Sequence, residues 1–219
     1  MEKKYLNKNK QRNLPLPVIN DLVGHYKLDR TAGPIDKSIK FNGTSSNLEI
    51  NSASYLGSTT HKKFTISGWI RPSNRSTGAA NIIFSKYHTS TAANKYYKIT
   101  YDDTNSEIDF TVYAGSSDYT LTSKIVQNEW SHIACVCEGS GKQILLYING
   151  NLIVQELIGT ISNTNAQTLY YGYDGATNYY LGEMCDFQFH ETDLSHQNII
   201  DMMYKGYSSK ILNNSVSNT

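Results

Sequence analysis

Three cysteines in 219 residues cannot make a disulfide framework. Cys135 and Cys137 stand two apart on one face of an extended stretch, where a bridge between them would be badly angled. Cys185 is alone in another stretch. All three read as small buried hydrophobes, which suits a reducing compartment. No histidine pair falls at ligand spacing, so no zinc site is expected. No apolar run approaches the ~20 residues that a membrane helix needs. The opening, MEKKYLNKNKQRN, is basic and lacks the apolar core of a secretory signal, so export by that route is not expected from this start. A formal net charge of +1 offers no whole-protein field to nucleic acid or to a membrane surface. Of only four prolines, two fall in Leu14-Pro15-Leu16-Pro17, an extended segment unsuited to any regular element.

What the chain does have is alternation. Ile133, Cys135 and Cys137 alternate with Ala134 and Val136, and Ile144, Leu146 and Ile148 with Leu145 and Tyr147. Two period-two runs around Glu138-Gly139-Ser140-Gly141 predict a hairpin. Asn149-Gly150 supplies the positive-φ positions of a second tight turn before Leu152-Ile153-Val154. The same rhythm predicts strands over 22–28, 38–41, 47–50, 64–71, 81–86, 95–102, 107–113, 119–121, 167–173 and 180–190, with one helical turn at 54–56. A single helix is expected after Ser195 as N-cap, with Ile199, Ile200, Met203 and Tyr204 on its apolar face and Gly206 stopping it. About a dozen strands, closely spaced, with one helix, argue an all-β, two-sheet antiparallel sandwich.

The first twelve residues carry Lys3, Lys4, Lys8, Lys10 and Arg12 against Glu2 alone. The organisation expected is therefore a basic extended arm over 1–18, a sandwich over 19–208 and a polar tail over 209–219. The arm is either solvated or docked on a neighbouring subunit; without aromatic residues among its charges beyond Tyr5, nucleic acid is not the partner expected.

Several stretches, in order, resemble one family. Ser38-Ile39-Lys40-Phe41-Asn42-Gly43 is similar to its strand ending in Phe-Asp-Gly, and Phe64-Thr65-Ile66-Ser67-Gly68-Trp69-Ile70 to its FTISAW strand. Ile83-Phe84-Ser85-Lys86, the Trp130 to Gly150 meander, Leu181-Gly182-Glu183-Met184-Cys185-Asp186-Phe187 and Asp193-Leu194-Ser195 follow in the family's sequence. These mark a resemblance to laminin G-like domains, the concanavalin A-like lectin and glucanase jelly rolls, over about 20–207. The resemblance implies a jelly-roll sandwich with one short C-terminal helix. Asn42 departs from the usual aspartate, and Gly68 stands before Trp69 where the family has another small residue.

The resemblance also raises catalysis, since retaining glucanases of this fold align E-x-D-x-x-E or E-x-D-x-E along one strand. Glu107-Ile108-Asp109-Phe110 begins that pattern, but Thr111, Val112 and Tyr113 follow where the second glutamate belongs. Retaining hydrolysis needs two carboxylates ~5 Å apart as nucleophile and acid. No Gly-x-Ser-x-Gly elbow and no phosphate-binding glycine loop is present. The chain is not expected to be an enzyme.

Binding is expected instead. The family's calcium site, carried over by motif, falls on Asp186, the Gly43 carbonyl, Asn42 and Asp29, where the ion would tie the termini. A glycan needs an aromatic face for C–H stacking and amide or carboxylate groups for its hydroxyls. Leu169 to Tyr180 offers Tyr171, Tyr173, Asp174, Asn178 and Tyr179; Tyr96, Tyr97, Tyr101 and Asp102 offer a second cluster. Against both stands the tendency of tyrosine to fill half-buried strands. The function expected is a non-catalytic, lectin-like recognition of glycan or of a protein surface. The other class is a structural or decorating protein of a large particle such as a virion, docked through residues 1–18.

Overall fold

In the computed structural model, residues 22–26, 38–50, 62–74, 81–88, 95–161 and 168–205 are described, the first stretch by its backbone alone. The arm, the tail, Asp29, Gly206 and the turn expected at 54–56 lie outside the described residues.

Alternation becomes thirteen strands among the described residues. They are β1 (Leu22–Tyr26), β2 (Ile39–Asn42), β3 (Leu48–Ile50), β4 (Phe64–Pro72), β5 (Asn81–Lys86), β6 (Tyr97–Asp102) and β7 (Glu107–Ala114). After them come β8 (Ser117–Lys124), β9 (Ser131–Cys137), β10 (Gln143–Ile148), β11 (Asn151–Leu157), β12 (Leu169–Tyr171) and β13 (Leu181–His190). One sheet runs β1-β13-β4-β9-β10-β11, with β2 also paired to β13; the other runs β3-β12-β5-β6-β7-β8. All their pairings are antiparallel. Both are the face-to-face layers of a jelly-roll sandwich.

The core lies between the sheets. Phe64 stacks on Phe189 at 5.9 Å, and Phe84 stacks on Tyr97 at 5.9 Å and on Phe187 at 6.4 Å. Cys135 and Cys137 face this core and are free thiols. Burial pushes the Cys137 thiol up to about 12 and Cys135 well above its ordinary range.

The turns follow their residues. Asn149 and Gly150 both take positive φ, 50° and 80°, which a two-residue hairpin requires. Asn149 Oδ1 accepts the His132 amide at 2.9 Å while the Asn149 amide donates to the His132 carbonyl at 2.8 Å.

The helix α1 (His196–Lys205) starts where expected: Ser195 Oγ accepts the Asn198 amide at 3.3 Å. It lies on the outer face of the larger sheet, where Leu194, Ile199 and Met202 cover Ala134, Val136, Leu145 and Tyr147. Its buried stripe is Ile199, Met202 and Met203, and Tyr204 is 73% exposed. At 100° per residue the i, i+3, i+4 set is the one that meets the sheet, which turns Tyr204 away.

Strand lengths differ from expectation at several places, and at two of them the cause is plain. β8 runs eight residues because its whole length pairs with β7. β12 ends at Tyr171 because Gly172 turns the chain at φ 73°, leaving Tyr173 only a bridge to Tyr179.

Candidate functional site

On β12 the period of two sends Leu169 and Tyr171 inward and Tyr170 outward. Tyr171 is 2% exposed and meets Phe84 and Phe187 edge-on at 4.8 and 5.8 Å. It is a core residue and presents no face to a ligand, which corrects the expectation for that position. Tyr170, absent from the expected set, is the member of the pair that faces out.

Gly172 and Tyr180 close the neck of the loop between them, the Tyr180 amide donating to the Gly172 carbonyl at 2.9 Å. A side chain at Gly172 would strike the Phe41 ring, 3.2 Å from Cγ. Inside the neck, Asp174 organises the loop. Its Oδ1 accepts the amides of Ala176, Thr177 and Asn178 at 2.9, 3.0 and 3.1 Å, and its Oδ2 accepts the Asn178 side-chain amide. Burial alone would raise this carboxyl; the hydrogen bonds from Asn178, Ala176 and Thr177 outweigh it and hold the pKa below its ordinary value. Asp174 and Asn178 are therefore committed to each other and to the backbone.

The fold this imposes sets three rings together. Tyr173 and Tyr179 stack at 4.4 Å and 18°, and Tyr170 meets Tyr173 edge-on at 5.3 Å. The Tyr173 hydroxyl donates to the Ala176 carbonyl at 2.9 Å. The neighbouring Tyr179 hydroxyl pushes the Tyr173 phenol up to about 12. All three rings are half-buried, each with part of its surface in solvent. Gly175, at φ 80°, passes under the Tyr170 ring so closely that a Cβ would lie 3.0 Å from Cε2.

Beside them a cleft is lined by Tyr87, His88, Thr168, Tyr170 and Asp174. Tyr87 donates its hydroxyl to both Asp118 carboxylate oxygens at 2.8 and 2.7 Å, and the Lys98 ammonium lies 4.7 Å from its ring centre. Burial first and Asp118 second push the Tyr87 phenol above its ordinary range. Alternation past the end of β5, from Ser85 to Tyr87, carried the signal for this residue.

The second tyrosine cluster is core. Tyr96, Tyr97 and Tyr101 are each 0% exposed. Asp102 caps the β6–β7 turn, its Oδ1 accepting the amides of Thr104 and Asn105 and its Oδ2 the Asn105 side chain. On β7, Glu107 is ion-paired to Lys124 at 3.0 Å and Asp109 accepts the Thr122 hydroxyl at 2.6 Å.

Of the expected calcium residues, the described ones, Asn42, Gly43 and Asp186, are not brought together. Asn42 lies opposite Leu181, and Asp186 stands five residues further along β13, about 17 Å at strand rise. Asn42 Oδ1 already accepts the amides of Thr44, Ser45 and Ser46. Asp186 is 5% exposed, at φ 52° in the β13 bulge, and its Oδ1 accepts from Gln188 at 3.4 Å. Gly43 also takes positive φ, 77°. Among the described residues no group of three or more His, Cys, Asp and Glu side chains could hold a metal ion. Asp186, Asn42 and Gly43 do not fit one calcium ion.

The model of the concanavalin A-like lectin/glucanases superfamily matches residues 42–200. Solved structures of botulinum neurotoxins are similar in fold. One, described by cell entry of type C dependent on two ganglioside molecules, is 17% identical with a TM-score of 0.59, over 82% of this chain and 45% of that chain. The type DC binding domain in complex with SialylT is 16% identical at 0.60, over 81% and 44%. The same domain in complex with rat synaptotagmin II is 16% identical at 0.59, over 85% and 47%. The match thus spans less than half the length of each of these solved chains. None of the curated proteins compared with the chain matches it.

Proposed function

The chain belongs to the concanavalin A-like lectin/glucanase superfamily, and from that premise we propose that it is a non-catalytic recognition module that binds carbohydrate at the loop between Gly172 and Tyr180. One observation carries the proposal: Tyr170, Tyr173 and Tyr179 form a contiguous set of partly exposed rings beside a cleft. Sugar rings offer C–H faces that pack on aromatic surfaces, and the cleft is lined by polar groups suited to hydroxyls, among them His88, Thr168 and Tyr87. Asp174 fixes the loop in one conformation before any ligand arrives, so binding carries little ordering cost. Two of the similar neurotoxin structures carry a ganglioside or SialylT in their descriptions, which agrees with the reading by analogy of fold alone.

Catalysis is left out of the proposal because the family's carboxylate row is incomplete here. Glu107 and Asp109 are tied to Lys124 and Thr122, and Thr111 stands next on that face of the strand.

The test is a glycan array probed with the purified chain and with Tyr170→Ala and Tyr179→Ala. Binding by the parent chain, lost in both variants at an unchanged melting temperature, is the result expected. A silent array, or hits that survive both substitutions, overturns the proposal.

A further inference from the structure

Tyr170 has a neighbour that the loop does not supply. In the pairing of β12 with β3 it stands directly opposite Glu49. Residues paired across an antiparallel ladder share a face, with Cβ atoms about 4.5–5.5 Å apart. The next pair fixes which face this is: Leu169, fully buried, lies opposite Ile50, which packs on the core. Glu49 is therefore on the outer face of the smaller sheet beside Tyr170, on an edge strand, and it is exposed.

Other carboxylates around the rings are already engaged. Asp174 Oδ1 accepts three backbone amides, and its Oδ2 accepts the Asn178 side chain. Asp118 accepts the Tyr87 hydroxyl on both oxygens and lies 3.8 Å from the Lys95 ammonium. Glu49 has no hydrogen-bond or ion-pair partner among the described residues. A carboxylate accepts on both oxygens, so Glu49 can take two adjacent hydroxyls of a sugar stacked on Tyr170, and hydrogen bonds to an ionised acceptor are the strong ones.

Charge narrows the ligand further. Asp174 and Glu49, which flank Tyr170 from the loop and from β3, are both acidic. Positive charge is set further back. Lys98 lies opposite Ser85, and Ser85 opposite Tyr170, which puts the Lys98 and Tyr170 Cα atoms about 10 Å apart at ordinary strand spacing. The Lys98 ammonium itself lies over the Tyr87 ring. A carboxylate or sulfate on a sugar at Tyr170 would come within a Debye length of Glu49, about 8 Å at physiological salt, where repulsion is poorly screened.

We propose that Glu49 is a specificity-determining residue of the tyrosine site: its carboxylate accepts hydroxyls of a neutral glycan stacked on Tyr170 and excludes glycans that carry carboxylate or sulfate. The inference rests on the carbohydrate reading of that site and adds its ligand class.

The experiment titrates the full chain, Glu49→Ala, Glu49→Gln and Tyr170→Ala over an array of neutral, sialylated, uronic-acid and sulfated glycans. Both Glu49 variants should keep the parent's melting temperature, because the side chain is exposed and unpaired. The parent should bind neutral glycans alone. Glu49→Ala should weaken that binding about tenfold, as expected for a lost hydrogen bond to a charged group. Glu49→Gln keeps the shape without the charge, so it should gain acidic glycans that the parent rejects. Hits that depend on Tyr170 but are indifferent to both Glu49 variants, or a parent that prefers acidic glycans, overturn this inference and leave the carbohydrate reading standing. A silent array, or hits that survive Tyr170→Ala, overturns both.

Discussion

Gly68 lies directly under the ring of Phe187: a Cβ at that position would come 2.7 Å from Phe187 Cγ. The contact joins β4 to β13 on the core side, where β13 bulges between Cys185 and Gln188 and Phe187 reaches across. The family's other small residues at this position carry a Cβ; here the ring has taken its space.

Gly68→Ala should therefore destabilise the fold by about 1–3 kcal/mol, the usual range for overpacking a filled core. Urea unfolding would show a lower midpoint at an unchanged slope. A neutral substitution would mean that Phe187 moves aside without loss.

Asp174→Ala should open the tyrosine loop. It removes the acceptor of three backbone amides and of the Asn178 side chain, so hydrogen exchange at Ala176, Thr177 and Asn178 should accelerate while β-sheet amides keep their protection. The carboxyl's pKa is depressed, so its contribution is complete above the ordinary value of 3.8 and is lost only as pH falls through the lower folded value. The loop should hold at pH 4 and loosen below it.

Alkaline stability should rise and then fall. Burial lowers the Lys86 pKa to about 8, against Glu191, which raises it. The unfolded chain keeps that proton up to 10.5, so between these values it binds more protons than the folded chain and stability increases with pH. Buried Cys135, Cys137, Tyr97 and Tyr180 act oppositely: burial raises each. The folded chain keeps their protons where the unfolded chain releases them, from about pH 9 for thiols and 10 for phenols. Urea midpoints measured from pH 7 to 11 should peak near 9. Lys86→Met should remove the rise and leave the fall.

Calcium and chelator should leave the melting temperature unchanged. Asn42 on β2 pairs with Leu181, five residues from Asp186 along β13, and the Asn42 oxygen is held by its own turn. A rise of several degrees with millimolar calcium would contradict this.

The sheets were legible before any coordinates because side-chain period reports strand geometry directly. Ile133 to Cys137 and Ile144 to Ile148 fall in paired strands, and Asn149-Gly150 makes the turn that its two positive φ values require. Ser195 caps the helix for a reason local to four residues. Such features need only near neighbours in the chain.

The candidate site was legible only in part. Alternation says that Tyr170 and Tyr171 face opposite ways, but which of them meets the core depends on where the second sheet lies. Tyr96 and Tyr97 are adjacent and both fully buried, because Tyr96 precedes β6 and is covered by Phe64 rather than placed by strand period. Asp174 and Asn178 have the chemistry for binding hydroxyls, yet the folded loop uses them on itself. The sequence determined that this chain is a β-sandwich with a tyrosine-rich loop, since backbone periodicity and turn preference act over a few residues. Which tyrosines face water and which carboxylates remain available were decided by contacts between residues distant in sequence.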